Sequence, residues 1–264
     1  MALRIATASI GLPLLLGAVW LGAPWFTALV GVAAAAGAIE LCALARGWSD
    51  RPMVSVSVGA AIALVVGSHL YTEASNVWEP ALPLVSGLAG TSILWLLWHS
   101  RPGQGPSVWP ASAAIALYAG GLLLHAPVLR ELDQGREWVY VLLAVTFTAD
   151  TSAFLVGRAV GRRPLAPSVS PAKTWEGAIA AEAGAIGAAA AAVAVLGLEM
   201  SIANAVALGA VLGVAGQLGD LFESRLKRGA GAKESGWIFP GHGGLLDRID
   251  SIVFNLVVMY YFVS

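Results

Sequence analysis

Residues 183–195 read AGAIGAAAAAVAV, and residues 31–38 read GVAAAAGA. Alanine and glycine are poor strand formers, but their small side chains let helices approach each other closely inside a bilayer. The composition points the same way, because 58% of the residues are hydrophobic, 12% are charged and the mean hydropathy is +0.76. The predicted fold is therefore an all-α, polytopic bundle of membrane helices.

Apolar windows between charged or Pro- and Gly-rich breaks predict nine transmembrane helices, because a helix needs about 20 apolar residues to cross a bilayer core of about 30 Å. The predicted spans are residues 5–22, 24–45, 53–70, 78–98, 108–129, 138–156, 174–197, 202–221 and 249–263. The first window is followed almost at once by another, without a convincing cleavage site, so we interpret it as a retained span and not as a signal peptide.

The spans are expected to form one continuous membrane domain with two functional parts. Residues 1–137 have short connections and few internal polar groups, which is typical of scaffold helices. Residues 138–264 contain the longest polar connections, 157–173 and 222–248, and are predicted to be the catalytic region. The single cysteine, Cys42, excludes an intrachain disulfide and a cysteine-rich metal site.

The distribution of charge predicts the orientation. With nine spans and a cytoplasmic N-terminus, all of the 15 Lys and Arg residues except Arg130 and Arg136 fall on the cytoplasmic side. This asymmetry follows the positive-inside rule and puts both long polar connections in the cytoplasm. The compact chain favours a bacterial inner membrane, with the chemistry at its cytoplasmic face.

The eighth predicted span ends in GQLGDLFESRLKR, residues 216–228. If the helix continues beyond the membrane, its periodicity brings an acid, a hydroxyl and two bases to one face, namely Asp220, Ser224, Lys227 and Arg228. Such a face could bind charged substrates. The alternative is a solvated helix whose basic residues touch anionic lipid headgroups.

The last predicted span is preceded by PGHGGLLDRID, residues 240–250. Glycines let a backbone fold closely around phosphate oxygens, and helix N-terminal amides favour anions. Asp247 and Asp250 could hold a hard divalent cation through oxygen ligands. Alternatively, Asp247 caps a helix and Asp250 pairs with Arg248 or Arg225.

A third polar segment, residues 149–177, reads ADTSAFLVGRAVGRRPLAPSVSPAKTWEG. Asp150 lies at the end of an apolar span, where a carboxylate needs a partner or a wet cavity. Ser170 and Pro171 are predicted to be the N-cap and first residue of the next helix. Four cations suit phosphate groups, although they also satisfy the positive-inside rule: Arg158, Arg162, Arg163 and Lys173.

Three isolated polar residues have open roles. His242 could transfer protons, bind a phosphate or fix the glycine-rich turn. Glu40 and Glu182 lie within apolar spans and could belong to a site, but we expect each to hydrogen-bond to a neighbouring helix.

Together these segments resemble the phosphatidate cytidylyltransferases, membrane enzymes also called CDP-diacylglycerol synthases. The family signature, S-x-x-K-R-x4-K-D-x-x-x-x-x-P-G-H-G-G-x-x-D-R-x-D, is matched by Ser224, Lys227, Arg228, Lys233, Glu234, Pro240, Gly241, His242, Gly243, Gly244, Asp247, Arg248 and Asp250. Glu234 departs from the family's Asp, which keeps the charge and lengthens the side chain. The resemblance covers the chain from about Asp150 onward.

The resemblance implies transfer of the cytidylyl group of CTP to phosphatidic acid in phospholipid biosynthesis, with dependence on Mg²⁺ and room for a second metal ion. The expected metal ligands are Asp220 and Asp247, followed by Asp250 and Asp150. The expected catalytic residues are Asp220, Asp247, Lys227, Arg228 and Lys173. The expected substrate-binding residues are Ser224, Arg225, Lys233, Gly241, His242, Gly243, Gly244 and Arg248.

The expected partners are CTP, phosphatidic acid and membrane lipid, with a homodimer as a further candidate and no nucleic acid. One alternative is a CDP-archaeol-type synthase that acts on an ether lipid. Another is a transporter or lipid-binding protein with an ion path through Glu40, Asp150 and Glu182. Transporters often have paired broken helices in two related halves, whereas the polar motifs here concentrate in the second half. The D-G-x-x-A-R motif of CDP-alcohol phosphotransferases is absent from the sequence.

Overall fold

The computed structural model describes residues 2–46, 53–72, 85–87, 90, 94, 108–236 and 243–264. Helices make up most of the described chain, as the sequence predicts. They are α1 (Ala2–Leu21), α2 (Trp25–Ala45), α3 (Val54–Thr72), α4 (Val108–Ala116), a π-helical turn (Leu117–Gly121), α5 (His125–Glu131), α6 (Gly135–Val160), α7 (Trp175–Leu196), α8 (Ile202–Gly229) and α9 (Leu246–Val263). An antiparallel hairpin of β1 (Pro164–Ala166) and β2 (Ser170–Thr174) precedes α7.

Within the described residues, five helical stretches are long and apolar enough to cross a membrane, in keeping with an all-α integral membrane protein. They are Trp25–Ala45, Trp109–Glu131, Gly135–Val160, Trp175–Leu196 and Ile202–Gly229. Shorter apolar helices, Ser9–Leu21 and Val54–Leu70, lie at the first and third predicted spans.

The other two predicted spans, the fourth and the ninth, are not among these apolar helices. Helix α9 contains the ninth predicted span, 249–263, but it carries three charged residues near its start and is not among the five. The fourth, 78–98, lies largely outside the described residues. The total of nine spans and the orientation of the N-terminus stay predictions.

The described chain forms two compact units. The first consists of Met1–Glu131 with Leu226–Ile249, and the second of Leu132–Arg225 with Asp250–Ser264. The polar segment 226–249 thus belongs to the same compact unit as the N-terminal helices. The division at residue 137 into scaffold and catalytic parts stays a prediction.

One close approach between helices in the first unit requires glycine. Helix α2 packs against α3, and α3 packs against α4, the π-helical turn and α5. A Cβ atom on Gly120 would lie 2.6 Å from Cα of Ala61, so this backbone approach requires glycine. Arg130 of α5 donates from Nε to the Val19 carbonyl of α1 over 2.9 Å.

Small residues also join the helices of the second unit. Helices α6 and α7 pack along each other. A Cβ atom on Gly209 of α8 would lie 2.6 Å from Cα of Ile186 in α7. Asn255 of α9 donates to Oγ1 of Thr146 in α6 over 2.9 Å. The close approach predicted from the Ala- and Gly-rich sequence is therefore confirmed at these helices.

The predicted span 174–197 agrees with α7, but its predicted N-cap, Ser170, and first helical residue, Pro171, were wrong. Ser170 lies in β2, paired with Ala166, and the helix begins at Trp175. Its N-cap is Thr174, whose Oγ1 accepts from the Gly177 N–H over 3.2 Å. Pairing with β1 holds the backbone extended from Ser170 to Thr174, and the local cap signal could not anticipate this partner.

Candidate functional site

The first polar cluster, here the Asp220 cluster, comprises Lys173, Asp220 and Ser224. Nζ of Lys173 lies 2.5 Å from Oδ2 of Asp220, and the two side chains are 26% and 33% exposed. Ser224 donates from Oγ to Oδ1 of Asp220 over 3.4 Å, as its position one helical turn later allows. Helix α8 extends to Gly229, so the predicted continuation of the eighth span is confirmed.

Lys173 reaches Asp220 from the end of the β-hairpin. Its strand, β2, leads directly into α7, and the Trp175 N–H donates to the Arg163 carbonyl over 2.9 Å. The Glu176 carboxylate accepts from the backbone N–H groups of Arg162 and Arg163 over 3.1 and 3.3 Å. These bonds fix the hairpin against the first turn of α7 and so position Lys173.

The second polar cluster, here the Asp247 cluster, comprises Glu40, Lys227, Ser235, Gly244 and Asp247. Nζ of Lys227 lies 2.5 Å from Oδ1 of Asp247. Oδ2 of Asp247 accepts from the Ser235 N–H and Oγ, each over 2.9 Å, and from the Gly244 N–H over 2.8 Å. The Lys227 and Asp247 side chains are 11% and 9% exposed, so this ion pair is largely shielded from water.

The surroundings of Asp247 favour its ionised form. Burial alone would raise the pKa of Asp247, but the Lys227 ammonium and the N–H groups of Gly244 and Ser235 outweigh it and hold the pKa below that of an ordinary aspartate. Asp247 is therefore a carboxylate at neutral pH.

Glycines at positions 243 and 244 make this arrangement sterically feasible. Gly243 has a φ of +78°, and a Cβ atom there would lie 2.5 Å from Oδ2 of Asp247. A Cβ atom on Gly244 would overlap Oγ of Ser235 and the Glu40 carboxylate. The glycines predicted to surround a phosphate thus also let the chain fold around Asp247.

Glu40 was not among the expected site residues. It lies in α2, is 3% exposed, and accepts from Ser235 and from the backbone of Leu245 and Leu246. The expected hydrogen bond is therefore present, but it is made to the start of α9. The sole signal in the sequence was a carboxylate inside an apolar span.

The remaining expected residues lie in varied surroundings. Arg225 and Arg228 lie at the end of α8, Lys233 lies just after that helix, and Arg248 lies in the first turn of α9. Arg228, Lys233 and Arg248 are exposed, and Arg225 is half-buried. Arg228 donates from Nη1 to the Ala232 carbonyl over 3.3 Å. Two expected residues, Gly241 and His242, lie outside the described residues.

The two weaker metal candidates, Asp150 and Asp250, lie on α6 and α9. Asp150 is exposed on α6. Asp250 is half-buried on α9, where its Oδ1 accepts from the Ser251 N–H over 2.7 Å. Their metal roles stay predictions.

The two expected metal ligands differ in how well they suit Mg²⁺, which usually keeps several waters and binds one or two carboxylates together with substrate phosphates. Asp220 suits a hydrated cation, because its side chain is one-third exposed and Ser224 adds a hydroxyl. At Asp247, three protein donors surround Oδ2, so an ion would compete with Lys227 for Oδ1. Within the described residues, no three His, Cys, Asp or Glu side chains gather around a common point.

The residues of both polar clusters lie within a region that matches a known protein family. A sequence model described as "Cytidylyltransferase family" matches residues 2–264, which is almost the whole chain. The match therefore includes both polar clusters and the N-terminal helices that the signature residues alone did not cover.

Curated relatives agree with this match. A phosphatidate cytidylyltransferase of Brucella abortus biovar 1 is 41% identical over 66% of this chain and 63% of its own length. One of Bacillus subtilis is 37% identical over 56% of both chains, and one of Synechocystis is 28% identical over 98% of this chain and 95% of its own. The chain spans somewhat less than two thirds of the length of the Brucella relative.

Proposed function

The chain belongs to the cytidylyltransferase family, and from this premise we propose that it transfers the cytidylyl group of CTP to phosphatidic acid. The products are CDP-diacylglycerol and pyrophosphate. The names of the Brucella, Bacillus and Synechocystis relatives support this substrate pair. An integral membrane protein suits a reaction between a soluble nucleotide and a lipid headgroup at the bilayer surface.

The observation that carries the proposal is the Asp247 cluster. An ionised carboxylate holds the ammonium of Lys227 and also anchors the turn at Gly243 and Gly244. A fixed cation beside a glycine turn is suited to phosphate oxygens, because the backbone can approach an anion closely while the cation offsets its charge.

The reaction needs little proton chemistry. A phosphate oxygen of phosphatidic acid attacks the α-phosphorus of CTP, a new P–O bond forms, and the bond from that phosphorus to the pyrophosphate oxygen breaks. The attacking phosphate is already an anion near neutral pH, so no strong general base is required. The main obstacle is repulsion between two polyanions, which positioning and electrostatic stabilisation overcome.

The cations divide into two groups by their surroundings. Lys173 and Lys227 are held by Asp220 and Asp247, so we assign them to fixed points of contact with phosphate groups. We assign the other cations, Arg225, Arg228, Lys233 and Arg248, to contacts that adjust to the incoming substrate; of these, Arg228, Lys233 and Arg248 are exposed. Ser224 and the glycines from Gly241 to Gly244 would orient phosphate oxygens.

The candidate ligands for Mg²⁺ are Asp220, which has Ser224 beside it, and, taken separately, Asp247. When bound, the ion would neutralise the phosphate charge of CTP and stabilise the leaving pyrophosphate. The chain itself pairs each of these carboxylates with a lysine, Asp220 with Lys173 and Asp247 with Lys227.

The proposed setting is a bacterial inner membrane, with nine spans, a cytoplasmic N-terminus and the reaction at the cytoplasmic face. The positive-inside distribution supports this orientation. CTP is a soluble nucleotide, and this orientation gives it direct access from the cytoplasm.

The test is turnover by the purified full chain in detergent, followed as CDP-diacylglycerol formed and pyrophosphate released. Product should require CTP, phosphatidic acid and Mg²⁺ together, and omission of any one should abolish it. An archaeal-type ether phosphatidate in place of phosphatidic acid tests the CDP-archaeol alternative. A folded preparation that forms no product from CTP and either lipid would refute the proposed function.

A further inference from the structure

Glu40 is a buried carboxylate in an otherwise apolar helix. It lies near the C-terminal end of α2 and is 3% exposed. An ionised group removed from water is costly unless hydrogen bonds or an opposite charge compensate it. The partners of Glu40 therefore indicate why the chain keeps an acid at this position.

Three hydrogen-bond partners of Glu40 lie about 200 residues later in the chain. Oε1 accepts from the Leu245 N–H over 2.8 Å, and Oε2 accepts from the Leu246 N–H over 2.9 Å. The first N–H groups of a helix have no acceptor within that helix. Glu40 thus caps the start of α9 from a different helix, in place of a local N-cap side chain.

The third partner connects Glu40 to Asp247. Oγ of Ser235 lies 3.0 Å from Oε2 of Glu40 and 2.9 Å from Oδ2 of Asp247. A hydroxyl group has one proton, so Ser235 donates to one carboxylate at a time while it contacts both. Asp247 in turn holds Lys227, which gives a continuous series of contacts from α2 to the proposed phosphate-binding lysine.

The backbone around Glu40 is shaped to admit its carboxylate. A Cβ atom on Gly236 would lie 2.6 Å from Oε1 of Glu40, and one on Gly244 would overlap its other oxygen. Gly236 lies before residues 237–242 and Gly244 lies after them, so each of these two segments contacts Glu40 at a glycine. This steric fit is a second observation, beside the hydrogen bonds, which indicates that Glu40 holds these two segments in place.

We propose that Glu40 is a positioning residue for cytidylyl transfer. It fixes Ser235 and the first turn of α9, and through them sets the place of Asp247 and Lys227. This inference rests on the proposed function for its catalytic consequence, but the structural link from Glu40 to residues 243–250 can be tested without turnover.

The experiment compares wild type with Glu40→Gln and Glu40→Met in the full chain, purified in detergent. Gln keeps one acceptor oxygen, whereas Met has a similar volume and no comparable acceptor, so it leaves three donors without a carboxylate. The measurements are kcat and KM for CTP, the unfolding temperature, and hydrogen exchange of residues 243–250. Glu182→Met is the matched control, because Glu182 also lies in an apolar helix, and its Oε2 has no hydrogen-bond partner among the described residues.

We expect kcat to fall roughly 10-fold for Gln and roughly 100-fold for Met, because small misplacements of reacting groups have effects of this size. Exchange should accelerate in residues 243–250 but not in residues 164–174 of the hairpin, and Glu182→Met should match wild type in both measurements. A merely structural role would lower the unfolding temperature while leaving kcat of the folded enzyme unchanged.

Two outcomes would overturn the proposal: Glu40→Met with kcat within about twofold of wild type, or unchanged exchange in residues 243–250 of a variant that has lost activity. If Glu40→Met does not fold, Glu40→Gln supplies the same two readouts. If wild type itself forms no CDP-diacylglycerol, the proposed function fails, and the exchange experiment still decides whether Glu40 holds the start of α9.

Discussion

Lys227 and Asp247 form an ion pair with 2.5 Å between Nζ and Oδ1, and both side chains are almost fully buried. The pair joins the end of α8 to the first turn of α9. Ser235 and Gly244 saturate the other carboxylate oxygen, so the carboxylate cannot rotate without losing hydrogen bonds. The lysine is thereby held in one place, which is what binding a phosphate group in a fixed orientation requires.

Asp247→Asn should lower activity by at least ~100-fold. It should also destabilise the fold by about 3–5 kcal/mol, because it leaves the buried Lys227 ammonium without a counter-charge. Turnover and the unfolding temperature are the measurements. The double variant with Lys227→Met should regain part of the stability but none of the activity. Near-normal turnover of folded Asp247→Asn would remove Asp247 from the site.

Lys173→Met should affect activity far more than stability. Its ion pair with Asp220 is about one-quarter to one-third exposed, and pairs of this kind contribute only about 0–1 kcal/mol. Loss of a phosphate-binding cation should still lower kcat/KM at least ~10-fold. Arg136→Met removes another partly exposed ion pair, with Glu137, and should change neither quantity. A large drop in unfolding temperature for Lys173→Met would instead indicate a structural lysine.

The stability that Asp247 contributes should depend on pH in one direction. Its folded-state pKa lies below that of an unfolded aspartate, about 3.9, so its contribution is complete above that pH and is lost as the pH falls through the folded value. The difference in unfolding temperature between wild type and Asp247→Asn should be constant from about pH 7 to 5 and shrink below about pH 4. A difference that grows on acidification would contradict this assignment.

Magnesium dependence should distinguish the two carboxylates. Asp220 is more exposed and its Oδ1 accepts one long hydrogen bond from Ser224, so Asp220→Asn should raise the Mg²⁺ concentration for half-maximal activity by ~10–100-fold. Asp247→Asn should act mainly on the maximal rate. Titration of activity with Mg²⁺ at saturating CTP measures both effects, and an equal shift for the two variants would argue against the distinction.

Gly244→Ala should be destabilising by about 1–3 kcal/mol and should lower activity, because its Cβ atom would overlap Ser235 and Glu40. Gly187→Ala is the matched control, since a Cβ atom there meets nothing within 4 Å and alanine favours a helix. Unfolding temperatures and turnover of the two variants check the prediction. Equal effects would show that the space around Gly244 is not restrictive.

Sequence reasoning succeeded where the relevant partner is local. The helical fold follows from long apolar windows, and the contact between Asp220 and Ser224 follows from helical periodicity. The same reasoning placed Lys227 and Asp247 in one site through the family signature. Their pairing needed the structure, because the two residues lie 20 positions apart on different helices.

Sequence reasoning could not identify hydrogen-bond partners that are remote along the chain. Glu40 has partners 195 to 206 positions later, and no local pattern encodes such a distance. Ser170 failed for a different reason, because its partner Ala166 is only four positions away: two local preferences compete there, and hairpin pairing with β1 prevails over the cap and moves it to Thr174.

The length of α8 determines how far its polar end stands from the hydrocarbon. The helix has 28 residues and is therefore about 42 Å long, against about 30 Å for a bilayer core. Its apolar part from Ile202 to Gly219 covers about 27 Å, close to the thickness of that core, and Lys227 lies about 10 Å further along the helix axis than Asp220. If this apolar part spans the hydrocarbon, Asp220 would lie at its edge and Lys227 at the level of the lipid phosphate groups. The length of α8 would then set the distance between the proposed phosphate-binding lysine and the acyl chains of the lipid.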